Sequence, residues 1–296
     1  MTDKSRWQQI SSRNWEDIAA AWVDAAASIP DISQKPDPGL ERLPGLLSLD
    51  GESPKRHDDV EGLRIQCFWE SLYLYSKCDH AMSASQRLAS IGMASWSNFN
   101  AYHSAYLGAR GILGLLGVPL PNLAGRQVFL DLFPAAERKS TKYRGVGPSL
   151  VREFLIKNVP KLDQRAVWAC LQRVLRVSKV QVWNVEFAMA LDGFEDSEIT
   201  PPRNHFLYKP AYWLFDDLLQ DLPTDYDWLE LSDPIVATDR SFLLWLCFVV
   251  HNLFTALVKD LASQSELINQ YLQESRGHRD SALPEQQRYR ALCISA

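Results

Sequence analysis

A guanidinium, an amide, an imidazole and a phenol fall together at Arg203, Asn204, His205 and Tyr208, directly after the pair Pro201-Pro202. A proline pair opens a helix, so these side chains share two turns. The set suits a phosphodiester: Arg forks onto phosphate oxygens, and His or Tyr moves the proton of a ribose hydroxyl. It reads equally as an Arg-Asp pair with a packed Tyr. A phenol with the ordinary pKa of about 10 is a poor base at neutral pH, so Tyr208 suits the work of an acid, a hydrogen-bond donor or a positioner. His205, two residues from Arg203, points toward the other side of such a helix.

Charge is distributed unevenly along the 296 residues, whose net charge is −5. From Arg138 to Lys179 eleven Lys and Arg stand against only Glu153 and Asp163, and Arg138, Lys139, Lys142 and Arg144 are the candidate phosphate contacts within that block. From Asp192 to Asp239 twelve carboxylates stand against Arg203 and Lys209. The two blocks can complement each other within one chain or across a dimer. The basic one can meet nucleic acid, and both can be ordinary solvated helix faces.

Other chemistries find little support. The chain has no G-x-x-x-x-G-K-[ST], H-E-x-x-H, G-x-S-x-G or EF-hand ladder, and Gly145-Val-Gly147 reads as a loop without a preceding strand. Cysteines 67, 78, 170, 247 and 293 form no C-x-x-C and total an odd five, which speaks for reduced, mostly buried thiols rather than zinc sites or disulfides. No cofactor or metal is expected. His103 and His251 read as hydrogen-bonded structural histidines, with a catalytic partnership between His251 and Arg203 as the alternative. The first ten residues lack the basic start and apolar run of a secretory signal, so a cytoplasmic location is expected. The apolar run Phe242 to Val258 is 17 residues long and carries His251, Asn252 and Thr255. It reads as a buried core helix rather than a membrane span.

The elements that must position these residues are overwhelmingly helical. With 46% apolar residues the chain can bury a core. Asn14 can cap a helix with Trp15, Ile18, Ala19, Trp22, Ala26 and Ile29 on one stripe, stopped by Pro30. Residues 30–59, rich in Pro and Gly, read as a long irregular connection. Spacing predicts helices over 60–77 and 83–116, the second broken near Gly92 and capped by Gly117. Further helices are predicted over 148–159, 164–177 behind Asp163, 184–192, a short one after Pro202 to Tyr208, another after a break at Pro210 through Leu219, one from Pro234 to about 262, and one over 265–274. Gln127 to Phe133 and Lys179 to Trp183 are short strand candidates. The resulting division is 1–59, an N-terminal helix and connection; 60–275, a helical bundle; and 276–296, a polar tail of disorder-prone composition.

Ala101, Ala105, Gly108 and Ala109 line a small-residue face between Tyr102, Tyr106 and Leu113, which lets another helix approach closely. This segment reads Ala-Tyr-x-x-Ala-Tyr-x-x-Ala-Arg over 101–110, followed by an apolar turn and Gly117. Together with Arg203-Asn204 and the residue four intervening positions later, it resembles the HEPN superfamily of prokaryotic toxins and phage-defence proteins. In that family an Arg is followed after four to six residues by His, or by Tyr in some branches; here Tyr208 holds the position. The resemblance spans 120 to 150 residues between 60 and 262.

The resemblance implies an all-α bundle with at most one or two short strands, to which this chain adds an N-terminal helix and long loop. It implies a defence or toxin-antitoxin protein that cleaves RNA without metal, by in-line attack of the 2′-hydroxyl. Arg203 and Asn204 would hold the phosphate, and Tyr208 or His205 would assist proton transfer. It further implies a homodimer, or a complex with a companion defence protein, with RNA as the substrate and no membrane. A reading from a different class is a non-catalytic helical adaptor that binds a protein or nucleic acid through the charged blocks.

Overall fold

The computed structural model describes residues 7–27, 43, 55–58, 60, 62–123, 126–134, 153–159, 162–194 and 242–274. The described chain is mostly helical. Helix α1 (Trp15–Ala27) buries Trp15, Ile18, Ala19, Trp22 and Ala26, the stripe that its three-and-four spacing predicts. Two long helices follow, α2 (Leu63–Ser90) and α3 (Ala94–Leu115). Then come α4 (Gln164–Val177), α5 (Val185–Gly193), α6 (Phe242–Gln264) and α7, residues 266–274.

α2 and α3 form a hairpin closed by Gly92. At φ +79° this glycine adopts the left-handed conformation that ends a helix, and Met93 N–H donates to the Leu88 carbonyl at 2.9 Å while Gly92 N–H donates to Ala89. Near the same end Ser85 and Ser97 exchange hydroxyl-to-carbonyl bonds of 2.8 and 2.9 Å. α2 is one continuous helix where separate ones were expected over 60–77 and 83–116. No Gly or Pro lies between 63 and 90 to interrupt it, and the polar Asp79-His80 step is no helix breaker.

α3 ends at Gly117, φ +78°, with Val118 N–H on the Leu113 carbonyl at 2.7 Å. Two of the last carbonyls find partners from the N-terminal segment. Trp22 Nε1 donates to Leu115 at 2.6 Å and an Arg13 guanidinium N–H donates to Leu116 at 2.7 Å. Arg13 also pairs with Asp131 at 3.0 Å, both side chains almost wholly buried, and the other oxygen of Asp131 accepts Phe133 N–H. Trp22 stacks on Phe68 and meets Phe133 edge-on, so α1 is part of the common core.

Strands exceed the one or two expected. Strands β2 (Lys55–Asp58), β5 (Glu153–Asn158), β4 (Arg126–Asp131) and β3 (Asn122–Leu123) make an antiparallel sheet in that order, while β1 (Arg13–Asn14) and β6 (Ser178–Lys179) form a short parallel pair. β4 overlaps the Gln127–Phe133 candidate, starting one residue before it, whereas the candidate over 179–183 contributes only its first residue. β5 replaces the later part of the helix expected over 148–159. Phe154 and Ile156 alternate inward, and β5 pairs on both sides, so period-two burial and two ladders decide the local structure. β2 likewise falls inside the connection expected to be irregular, with Lys55 opposite Ile156.

The spacing over 164–177 and 184–192 is realised in α4 and α5. Asp163 caps α4 by accepting Ala166 N–H at 2.9 Å, and Asn184 caps α5 by accepting Glu186 N–H at 2.9 Å. α6 is long and apolar enough to cross a membrane, but 67% of its apolar window is buried inside the fold. It packs against α1, α2, α3 and α5.

Candidate functional site

Arg203, Asn204, His205 and Tyr208 lie outside the described residues, as do Arg138, Lys139, Lys142 and Arg144. The two short helices expected to Tyr208 and through Leu219, the start of the one expected from Pro234, and the tail from 276 lie outside them too. The other segment of the sequence pattern, α3, is described in full.

α3 turns its small residues inward, and the approach is close. A Cβ added at Gly108 would stand 2.6 Å from Val250 of α6 and 3.0 Å from the Cys78 sulfur of α2. One added at Gly111 would stand 2.1 Å from the Phe254 ring, and one at Gly114 would stand 2.1 Å from Ser71 Oγ. Ala101, Ala105 and Ala109 are fully buried on the same helix. The small-residue face therefore admits α6 on one flank and α2 on the other.

Where α2 and α6 run together, each contributes polar groups one turn apart: Tyr75 and Asp79 from α2, His251 and Thr255 from α6. His251 Nε2 lies 3.0 Å from Asp79 Oδ1. The imidazole is stacked on the Tyr75 ring, 6.2 Å between centroids and 22° between planes. The Tyr75 hydroxyl lies 3.4 Å from Thr255 Oγ1. The His251 and Asp79 side chains are 15% and 19% exposed, partly buried but open to solvent. Asn252, its neighbour, turns its amide onto the Phe248 carbonyl of its own helix at 2.8 Å.

This arrangement has a definite chemistry. A carboxylate facing Nε2 draws the proton to that nitrogen and leaves Nδ1 with its lone pair, ready to accept a proton. The aromatic face of Tyr75 and the contact to Asp79 fix the ring orientation. His251 is hydrogen-bonded, as its position within an apolar helix requires, but it is not sealed in the core. Its partner escapes sequence inspection because Asp79 stands 172 residues away. The available signal was that each helix breaks its apolar stripe with a polar residue, at Asp79 and at His251.

Other candidates separate clearly from this cluster. The thiols of Cys67, Cys78, Cys170 and Cys247 are buried. Burial pushes the thiol of Cys247 up to about 12 and those of Cys78 and Cys170 up as well, so none of these three offers a thiolate at neutral pH. Cys78 is held further toward its neutral form by the neighbouring Cys247. His103 is exposed and stacks on Phe99, His80 is exposed in mid-helix, and His57 sits in β2 against Phe154. Among the described residues no group of three or more His, Cys, Asp or Glu could hold a metal ion.

A cleft of about 440 Å³ opens between the end of α4 and α5, with Trp183, Val180 and Met189 in its wall and Lys179 at its rim. Arg176, also at the rim, is paired with Asp192. Compared with protein-family models, curated proteins and solved structures, the chain matches none.

Proposed function

We propose that this protein is a HEPN-like endoribonuclease of a defence or toxin-antitoxin setting, acting without metal. The observation that carries the reading is the packing of α3. Its Ala-Tyr-x-x-Ala-Tyr-x-x-Ala-Arg segment buries Ala101, Ala105 and Ala109 and brings Gly108 and Gly111 directly against Val250 and Phe254 of α6. The pattern on which the resemblance rests is thus used structurally, as the contact of a helical bundle. The Arg203-Asn204 dipeptide and Tyr208 would then hold the scissile phosphate, with Arg203 forking onto its oxygens and stabilising the charge that develops there. Two copies of the chain would pair two such sites.

The testing experiment incubates the full chain with unstructured RNA in excess EDTA and analyses the new ends. The reading expects 2′,3′-cyclic phosphate and 5′-hydroxyl termini. A requirement for Mg²⁺, or 3′-hydroxyl ends, would refute it.

A second reading, a helical adaptor, draws on the tip of the α2–α3 hairpin. Ile91 is 61% exposed there, and Met93 and Phe99 follow on the solvent side. Exposed apolar groups clustered at one end of a hairpin suit a protein partner. Co-purification of a companion protein, lost on Ile91→Ser with Phe99→Ser, is its test.

A further inference from the structure

We infer that the cleft between the end of α4 and α5 binds a small amphiphilic carboxylate, an apolar body carrying one negative charge. The inference goes beyond the ribonuclease reading and does not depend on it. Val185, Ala188, Met189 and Asp192 follow one another at spacings of three and four residues, so they share one face of α5, and all four line the cleft. Leu175 and Trp183, both buried, add to its apolar wall. Val185 and Met189 are 64% and 69% exposed, more than any other large apolar side chain among the described residues. Apolar groups left in water beside a concavity are the surface that an apolar ligand would cover. The volume of about 440 Å³ lies within the range of small-molecule sites, about 300–1,000 Å³.

The wall is fixed on one side and adaptable on the other. The Trp183 indole N–H donates to the Leu253 carbonyl of α6 at 2.9 Å, which holds the ring in place. Met189 is an unbranched, exposed thioether and can fold onto whatever lies against Trp183.

Charge selects the head group. The charged residues of the lining are Arg176, Lys179 and Asp192. Arg176 Nε donates to Asp192 Oδ1, so these two charges offset each other, and exposed Lys179 leaves the lining with one positive charge in excess. A carboxylate balances that charge one for one, whereas a phosphate monoester brings about −1.5 to −2 at neutral pH. The ligand's apolar body would lie along Trp183 and Met189 with its carboxylate at Lys179.

The test uses octanoate, octan-1-ol and octylammonium, which share one tail and differ in charge. Methyl-¹³C methionine spectra of the full chain read the cleft through Met189, one of four methionines, assigned by the loss of its signal in Met189→Leu. Octanoate should move the Met189 methyl saturably, with a dissociation constant of about 1 mM, which a fragment of this size reaches at modest ligand efficiency. Met93, exposed at the hairpin tip, should stay in place. Octan-1-ol should bind more weakly and octylammonium most weakly. Lys179→Glu should weaken octanoate at least about fivefold, by exchanging an attraction at the rim for a repulsion, and should make octylammonium the preferred ligand. Ala188→Phe, which fills the cleft from α5, should abolish the shift.

Movement of Met189 that does not saturate, or that Met93 shares at the same concentrations, is general adsorption and overturns the inference. Octan-1-ol binding as tightly as octanoate overturns it as well. If either variant fails to fold, the three head groups on the wild-type chain decide alone.

Discussion

Replacing Gly111 by Ala sets two effects against each other. In an exposed helix interior the exchange stabilises by about 1 kcal/mol, because glycine carries the larger backbone entropy. Here the new Cβ would lie 2.1 and 2.3 Å from two atoms of the Phe254 ring, which is itself fully buried and meets Tyr75 edge-on at 5.1 Å. The ring cannot retreat without pressing on Tyr75, and overpacking of this kind costs about 1–3 kcal/mol. Overpacking offsets the entropic gain or exceeds it, for a net loss of up to about 2 kcal/mol, seen in thermal unfolding as a fall in Tm of up to about 8 °C.

The cycle with Phe254→Leu supplies the control. The smaller side chain opens room for the methyl, so the double variant should be more stable than the sum of the single losses predicts, by about 0.5–3 kcal/mol. A Gly111→Ala protein with a raised Tm, or strict additivity in the cycle, would refute the close passage of α3 under α6. The same push on Tyr75 should disturb the stacked imidazole of His251, visible as a shifted histidine signal.

Three further outcomes follow from the same structure. Arg13→Met or Asp131→Leu alone should cost about 3–5 kcal/mol in urea unfolding by leaving one buried charge unpaired, whereas the double variant should lose far less than the sum. Cys78, Cys170 and Cys247 should resist disulfide reagents in the native state from pH 7 to 9. Their raised thiols stay protonated throughout that range, Cys247 up to about 12, and unfolding in urea should expose them at once, as peptide mapping would show. Changing Arg138, Lys139, Lys142 and Arg144 together to Gln should flatten the log-log salt dependence of RNA binding by about three units if all four neutralise phosphates. Unchanged binding with loss of self-association would place the block at a protein interface instead.

The helical parts of the fold are legible because their signals are local. α4 follows from Asp163 and the apolar spacing behind it, and the hairpin turn and the end of α3 follow from Gly92 and Gly117. The sheet is less legible. β5 has only the alternation of Phe154 and Ile156 to announce it, and the ladders that stabilise it come from residues 55–58 and 128–131. α2 hides its continuity for a related reason. Asp79 interrupts the apolar stripe and resembles a boundary until His251 is found facing it. A pair so far apart in sequence leaves two unexplained polar positions, and only packing shows that each accounts for the other.

Arg203 is where the account is most directly exposed. Single-turnover cleavage of RNA in EDTA should fall to background in Arg203→Ala, with circular dichroism and Tm unchanged, since the phosphate loses its guanidinium while the α2, α3 and α6 core keeps its contacts. Wild-type rates in a folded Arg203→Ala protein would contradict the claim that Arg203 holds the scissile phosphate.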